Sequence, residues 1–190
     1  MGKIDSYWKN AFPDISPVGW ELRERLPERW VRFHSLPGGK RYPESPKERA
    51  IVVERASALA AAVLGEKGPY YVLAYVYEPD PDLPFSVENT WRYHGIPLDQ
   101  RFTCLEDSEA DAARIVVFTG ATYDLGASFE AAVLGIAEEL SPRSIWVSPT
   151  TGAVFAPYDG GFDITLPQPA DIQPLKAKFK KWLSKRSDGL

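Results

Sequence analysis

The chain has 190 residues and a formal net charge of −4 at pH 7, and 44% of its residues are hydrophobic. That apolar content excludes a disordered chain, and the length predicts a single domain. Cys104 is the single cysteine, which excludes a disulfide within the chain and a cysteine-rich zinc site. The start of the chain lacks the apolar core of a signal peptide and no apolar run is long enough to cross a bilayer, so we expect a cytoplasmic protein.

The first third of the chain predicts two helices and two strands. Apolar residues at helical spacing predict a short helix inside an N-terminal extension, residues 1–29, that docks on the domain. Residues 30–34 have the pattern of a strand, and residues 70–77 of a second one. Between them a long helix begins at Ser45, which suits an N-cap, and Glu48 completes a capping box by accepting from the cap amide. Gly65 ends this helix.

The rest of the chain predicts a three-stranded meander between two more helices. An irregular stretch, residues 78–111, precedes an apolar strand of the kind found in the centre of a sheet. Asp-Gly between two apolar runs predicts a hairpin turn at Asp159. The order of elements predicts an α+β fold, a mostly antiparallel sheet with about three helices packed on one face. The predicted elements are strands at 114–119, 144–147, 153–156 and 162–166 and helices at 128–140 and 171–186.

The acidic residues are concentrated in the middle of the chain. Residues 78–171 hold sixteen acidic and four basic residues, a net charge of −12. Such a stretch is unsuited to nucleic acid and favours a basic protein partner, although a solvated acidic face is an equal alternative. Three aromatic residues in it, Phe85, Trp91 and Tyr93, are expected to be exposed and to strengthen docking. The residues predicted to contact the partner are Glu78, Asp80, Asp82, Glu88, Trp91, Glu106, Asp107, Glu109 and Asp111.

A basic, glycine-containing loop is the second candidate site. Gly38 and Gly39 would let backbone amides approach an anion, while His34, Lys40 and Arg41 supply positive charge. The residues predicted to contact a ligand are His34, Lys40, Arg41, Tyr42 and, in the distant hairpin, Asp159. The loop lacks the pattern of a P-loop, and a tight structural turn with solvated basic groups is the favoured interpretation.

The sequence contains no pattern that predicts catalysis or metal binding. Only two histidines, His34 and His94, are available as bases or ligands. No nucleophile-elbow pentapeptide occurs. The lysines near the C-terminus are interpreted as the solvated face of an amphipathic helix. We therefore expect no cofactor, no metal ion and no catalytic residue.

Three blocks of the sequence resemble a family of uncharacterised bacterial proteins. These blocks are RFHSLPGGKRYP at residues 32–43, YDGGFD at residues 158–163 and WLS at residues 182–184. Proteins of this build are similar to the small cytoplasmic immunity proteins encoded beside polymorphic bacterial toxins. The resemblance carries no established activity and no binding site. The acidic middle of the chain, its aromatic residues and the absence of a catalytic pattern favour a non-catalytic, immunity-type inhibitor that docks a basic toxin or partner protein through an acidic face. The alternative is a protein or enzyme that binds a small anionic ligand or nucleotide through His34 and the loop from Gly38 to Arg41.

Overall fold

An antiparallel β-sheet is the framework of the computed structural model, which describes residues 3–78, 92–105 and 114–186. Its strands are β1 (Trp30–His34), β2 (Tyr70–Glu78), β3 (Arg92–Tyr93), β4 (Ile96–Leu105), β5 (Arg114–Thr122), β6 (Arg143–Val147), β7 (Val154–Tyr158) and β8 (Gly161–Thr165). The order across the sheet is β1-β8-β7-β6-β2-β5-β4-β3, and every neighbouring pair is antiparallel. The predicted α+β class with a mostly antiparallel sheet in one domain is thereby confirmed.

Five α-helices within the described residues cover this sheet. They are α1 (Lys3–Ala11), α2 (Gly19–Arg25), α3 (Pro46–Leu64), α4 (Ala127–Ala137) and α5 (Ile172–Lys178). Residues of α3, α4 and α5 form one hydrophobic core with one face of the sheet, and residues of α1 and α2 form a second core with the other face. No helix in the described part of the chain combines the length and the apolar character needed to cross a membrane.

The prediction that the helices pack on one face is wrong for α1 and α2. Successive residues of a strand point to opposite faces of its sheet. In β2, Val72, Ala74 and Val76 belong to the core with α3, whereas Leu73 and Tyr75 belong to the core with α1 and α2. A strand that is apolar on both faces needs a cover on each of them. The N-terminal helices supply the second cover.

The predicted central strand and meander agree with the observed sheet. The strand β5 pairs with β2 on one side and β4 on the other, and β6, β7 and β8 are consecutive neighbours. The long helix α3 starts where predicted, because the Ser45 hydroxyl accepts from the Glu48 amide at 3.3 Å. The Glu48 carboxylate, however, accepts from the amide of Glu44 at 2.7 Å, one residue before the cap.

The C-terminal helix is shorter than predicted, and its end changes the surface beside β1. The helix α5 stops at Lys178, a short 3-10 turn spans Lys180–Trp182, and Leu183 is extended. Leu183 forms an antiparallel bridge with Phe33 in β1. Phe179 stacks on Trp182 with ring centroids 4.8 Å apart, so the aromatic residues pack against the domain in this non-helical path. The chain therefore returns along the outer edge of β1.

Candidate functional site

A cavity of about 590 Å³ lies where the C-terminal segment passes the end of β1. This volume falls within the range of about 300–1,000 Å³ that is typical of small-molecule sites. We refer to the cavity as the basic pocket. Its walls come from the loop after β1, from α3 and from the C-terminal segment: His34, Leu36, Pro37, Gly38, Gly39, Arg55, Lys181, Trp182, Leu183, Ser184, Lys185 and Arg186.

The charge of the basic pocket has one sign. Arg55, Lys181, Lys185 and Arg186 carry fixed positive charges, and His34 adds a titratable imidazole. None of the described residues that line the pocket is acidic. A cavity lined by one sign of charge concentrates the opposite charge, so this pocket favours an anion.

Arg55 is the most deeply buried cation of the basic pocket. It is 9% exposed, and its Nη1 donates a hydrogen bond of 2.9 Å to the backbone oxygen of His34. The guanidinium also lies 5.3 Å from the ring centroid of Trp182. Within the described chain no carboxylate forms an ion pair with it. Burial lowers the pKa of Arg55, and nearby Glu54 partly opposes this. An arginine does not deprotonate in a protein, so Arg55 keeps its charge although no carboxylate among the described residues forms an ion pair with it.

His34 packs over the glycine loop. The φ angles of Gly38 and Gly39 are both +72°, a conformation that favours glycine. A Cβ atom on Gly39 would lie 3.4 Å from His34 Cε1, so the imidazole rests on that backbone. Burial lowers the pKa of His34, and the charges of Arg32 and Arg55 lower it further. The lowered pKa favours the neutral form of the imidazole.

Of the five residues predicted to contact a ligand, only His34 lines the basic pocket. Lys40 forms ion pairs with Glu44 at 2.9 Å and with Glu48 at 2.7 Å. Arg41 forms an ion pair with Asp159. The Tyr42 hydroxyl donates to Glu139 at 3.3 Å. The charges that the sequence suggested for an anion are thus already compensated by carboxylates of the protein.

A second cavity, which we term the arginine cleft, has a different character. It measures about 140 Å³ and is lined in part by Arg32, Arg143, Asp159 and Asp163. Arg32 donates two hydrogen bonds to Asp163, at 2.7 and 2.8 Å, and Arg143 lies 3.8 Å from Asp159. Burial alone would lower the pKa of Arg32, but the hydrogen bonds and charge of Asp163 outweigh it and raise the pKa. The first pair joins β1 to β8, and the second contact joins β6 to the turn between β7 and β8.

The three sequence blocks at residues 32–43, 158–163 and 182–184 meet beside the end of β1. His34 is the register partner of Gly161, and the Ser35 amide donates to the Gly160 oxygen at 3.2 Å. Leu183 bridges Phe33 from the other side. The first block therefore meets two blocks that lie more than a hundred residues later in the chain, and all three either line the basic pocket or hold its walls.

Sequence reasoning missed the four residues that bring fixed positive charges to the basic pocket. One of them left a signal, because Arg55 lies three residues after Val52 and four before Leu59 in the buried stripe of α3. A charged residue within an apolar stripe indicates a special environment. The other three, Lys181, Lys185 and Arg186, were assigned to a helix that the chain does not form there.

Most of the acidic residues predicted to contact a partner lie outside the described part of the chain. Tyr93 is 3% exposed and donates from its hydroxyl to the Pro142 oxygen at 2.7 Å, so its predicted exposure is wrong. Glu138, Asp159 and Asp163 form ion pairs with Arg49, Arg41 and Arg32. These pairs neutralise part of the negative charge of residues 78–171. Of Glu78 only the backbone is described. The other predicted contacts lie outside the described residues: Asp80, Asp82, Glu88, Trp91, Glu106, Asp107, Glu109 and Asp111.

One serine–histidine contact occurs away from both cavities. His94 Nε2 lies 2.8 Å from the Ser141 hydroxyl oxygen, and burial lowers the pKa of His94. Neither residue lines the basic pocket or the arginine cleft. Across the described ranges, no three histidine, cysteine, aspartate or glutamate side chains are grouped to hold a metal ion.

Comparison with known proteins identifies a family. A family model described as a domain of unknown function, DUF3885, matches residues 18–187. Because this match covers most of the chain, the protein belongs to that family. Neither a curated protein nor a solved structure matches the chain.

Proposed function

We propose that this protein binds a small anionic ligand in the basic pocket. The observation that carries the proposal is a cavity of about 590 Å³ whose described walls hold the buried Arg55 together with Lys181 and Lys185 and no acidic residue. A charge pair 4 Å apart at an effective dielectric constant of about 20 attracts by about 4 kcal/mol before desolvation is counted. This attraction applies to the buried Arg55, whereas Lys181, Lys185 and Arg186 are exposed, so solvent and salt screen their contribution.

Each part of the pocket has a distinct role in this proposal. The hydrogen bond to the His34 oxygen fixes the guanidinium of Arg55, and a planar guanidinium recognises an oxyanion through a fork of parallel donors. Lys181 and Lys185 act as point charges on the C-terminal segment. The glycine at position 38 has no atom within 4 Å of the place of a Cβ, so a ligand can approach its backbone closely.

Isothermal titration calorimetry against a panel of inorganic and organic anions tests the proposal. Arg55→Met and Lys181→Met should each weaken binding at least tenfold, since each removes a pocket charge. Lys180→Met is the matched control, because Lys180 directly precedes Lys181, is exposed and does not line the pocket. The proposal fails if no anion of the panel binds, or if Lys180→Met weakens binding as much as Lys181→Met does.

A second proposal rests on the charge of the sequence itself. The net charge of −12 over residues 78–171 supports docking of a basic protein, which for an immunity-type inhibitor would be its toxin. The test is co-expression with the toxin encoded beside the gene, followed by purification of the complex. A triple substitution of Asp107, Glu109 and Asp111 to the amides should weaken the complex, whereas Glu130→Gln on the exposed side of α4 should not. Absence of both a complex and a rescue of growth would reject this proposal.

A further inference from the structure

The arginine cleft contains two guanidinium groups whose donors are only partly used. Arg143 Nη2 lies 3.8 Å from Asp159 Oδ1, and Arg23 Nη2 lies 3.6 Å from Glu24 Oε1. Both distances are longer than a hydrogen bond. The side chain of Glu24 is 58% exposed and does not line the cleft, so water screens its charge. Each guanidinium therefore keeps donors for a ligand in the cleft.

Asp159 brings the opposite charge to the same cavity. Its side chain is 5% exposed, and Oδ2 accepts from Arg41, which does not line the cleft. For Oδ1, the nearest cation within the described chain is Arg143 at 3.8 Å, so this oxygen keeps the capacity to accept a hydrogen bond. A cation and a carboxylate oxygen with unused capacity thus lie side by side. Arg32 and Asp163, in contrast, satisfy each other and form a wall.

Tyr158 adds a neutral donor to the cleft. The Arg32 guanidinium lies 4.3 Å from its ring centroid, and a Cβ atom on Gly161 would lie 3.0 Å from its hydroxyl oxygen, so the ring is held in place. No hydrogen bond joins this hydroxyl to another residue of the described chain. Burial raises the pKa of Tyr158 to about 12. The hydroxyl therefore stays protonated at pH 7 and can donate to a ligand.

The size and the mixed charge of the arginine cleft restrict its ligand. The volume of about 140 Å³ lies below the range of about 300–1,000 Å³ that is typical of sites for drug-sized molecules, so a nucleotide or a sugar phosphate is too large. A plain carboxylate beside Arg143 would be repelled by Asp159, and a plain amine beside Asp159 would be repelled by Arg143 and Arg23. A ligand that carries both charges on neighbouring atoms avoids both repulsions.

We propose that the arginine cleft binds a small α-amino acid. The ligand carboxylate accepts hydrogen bonds from Arg23, Arg143 and the Tyr158 hydroxyl, and the ligand ammonium group donates to Asp159 Oδ1. This site is separate from the anion site of the proposed function, because no residue lines both cavities.

Titration calorimetry with four matched probes tests the proposal. L-alanine carries both charges, propionate lacks the amino group, ethylamine lacks the carboxylate, and L-lactate has a hydroxyl in place of the ammonium. L-alanine should bind about ten times more tightly than each of the other three, because only L-alanine forms both charged hydrogen bonds.

Two arginines of α2 provide a variant and its matched control. Arg23→Met should weaken binding of L-alanine about tenfold, and so should Arg143→Met, since each removes a charged donor. Arg25→Met should leave the affinity unchanged, because Arg25 is exposed and does not line the cleft. Tyr158→Phe keeps the ring and removes only the hydroxyl, so it should weaken binding less than either arginine variant does.

The contrary results are equally specific. If propionate binds as tightly as L-alanine, the cleft binds carboxylates and Asp159 takes no part. If L-lactate does so, the ligand's positive charge is not recognised. If none of the four probes binds, or if Arg25→Met weakens binding as much as Arg23→Met does, the proposal is wrong.

Discussion

Breaking the buried ion pair between Arg32 and Asp163 should strongly destabilise this corner of the fold. The two residues are register partners on β1 and β8, and two hydrogen bonds of 2.7 and 2.8 Å join them. Their side chains are 13% and 7% exposed, and the Arg32 guanidinium also lies 4.3 Å from the ring centroid of Tyr158. The informative perturbation is Asp163→Asn, which keeps the shape of the side chain and removes its charge.

The expected loss follows from the burial of the pair. Removing one partner of a buried pair leaves an uncompensated charge and costs about 3–5 kcal/mol. For a chain of 190 residues, each 1 kcal/mol lowers the melting temperature by about 2–4 °C. Asp163→Asn should therefore lower it by about 6–20 °C. Replacing Arg32 and Asp163 together by leucine removes both charges and should recover most of this loss.

Urea unfolding, followed by tryptophan fluorescence, measures these differences. Glu138→Gln is the control, because it breaks the more exposed pair with Arg49 and should cost less than about 1 kcal/mol. The reasoning is refuted if Asp163→Asn costs no more than this control. It is also refuted if the double leucine variant is less stable than the single variant, since the uncompensated charge would then not be the cause.

Four further outcomes are expected. Arg55→Met should change the free energy of unfolding by less than about 2 kcal/mol, as measured by urea unfolding. The variant loses a hydrogen bond and a contact with the Trp182 ring, but it also removes a buried charge that no carboxylate of the described residues pairs. Sulfate should bind more tightly as the pH falls from 8 to 5, because a bound anion raises the lowered pKa of His34. The other cations of the pocket, Arg55, Lys181, Lys185 and Arg186, stay charged over this range. Calorimetric titration of His34→Gln with sulfate should show no such pH dependence. Ser45→Ala should cost about 1 kcal/mol in thermal unfolding through loss of the α3 cap, and an equal stability would contradict the cap. Gly161→Ala should cost at least about 1–3 kcal/mol, because its Cβ would collide with the Phe33 backbone oxygen, and an unchanged melting temperature would show that β1 and β8 can separate.

The local pattern of the sequence was sufficient for most elements but not for their arrangement. Period-two and period-3.6 patterns located β1, β2, β5 and α3, since those elements bury an apolar face near their own sequence. The cover formed by α1 and α2 was missed because periodicity does not state which face of a sheet a helix will meet. The end of α5 was missed for a related reason: Trp182 and Leu183 keep helical spacing but pack against Arg55 and Phe33, which are distant in sequence.

The same limit explains why the basic pocket was not located in full. The glycine loop and His34 were visible as a candidate, but the cations nearest to them in sequence, Lys40 and Arg41, proved to be paired with carboxylates. The cations that do line the pocket come from α3 and from the C-terminal segment. Proximity in sequence therefore identified the wall of the site but not its charge.

The contrast between the two cavities supports a functional origin for the uncompensated charge. In the arginine cleft, the buried Arg32 is paired with Asp163, and the more exposed Arg143 lies 3.8 Å from Asp159. In the basic pocket, Arg55 is also buried, but among the described residues its hydrogen-bond and ring partners are the His34 carbonyl oxygen and Trp182, and no carboxylate forms an ion pair with it. A buried cation without a counter-charge does not improve stability. A folded chain that retains one beside a large cavity is better explained by an anion that supplies the missing charge.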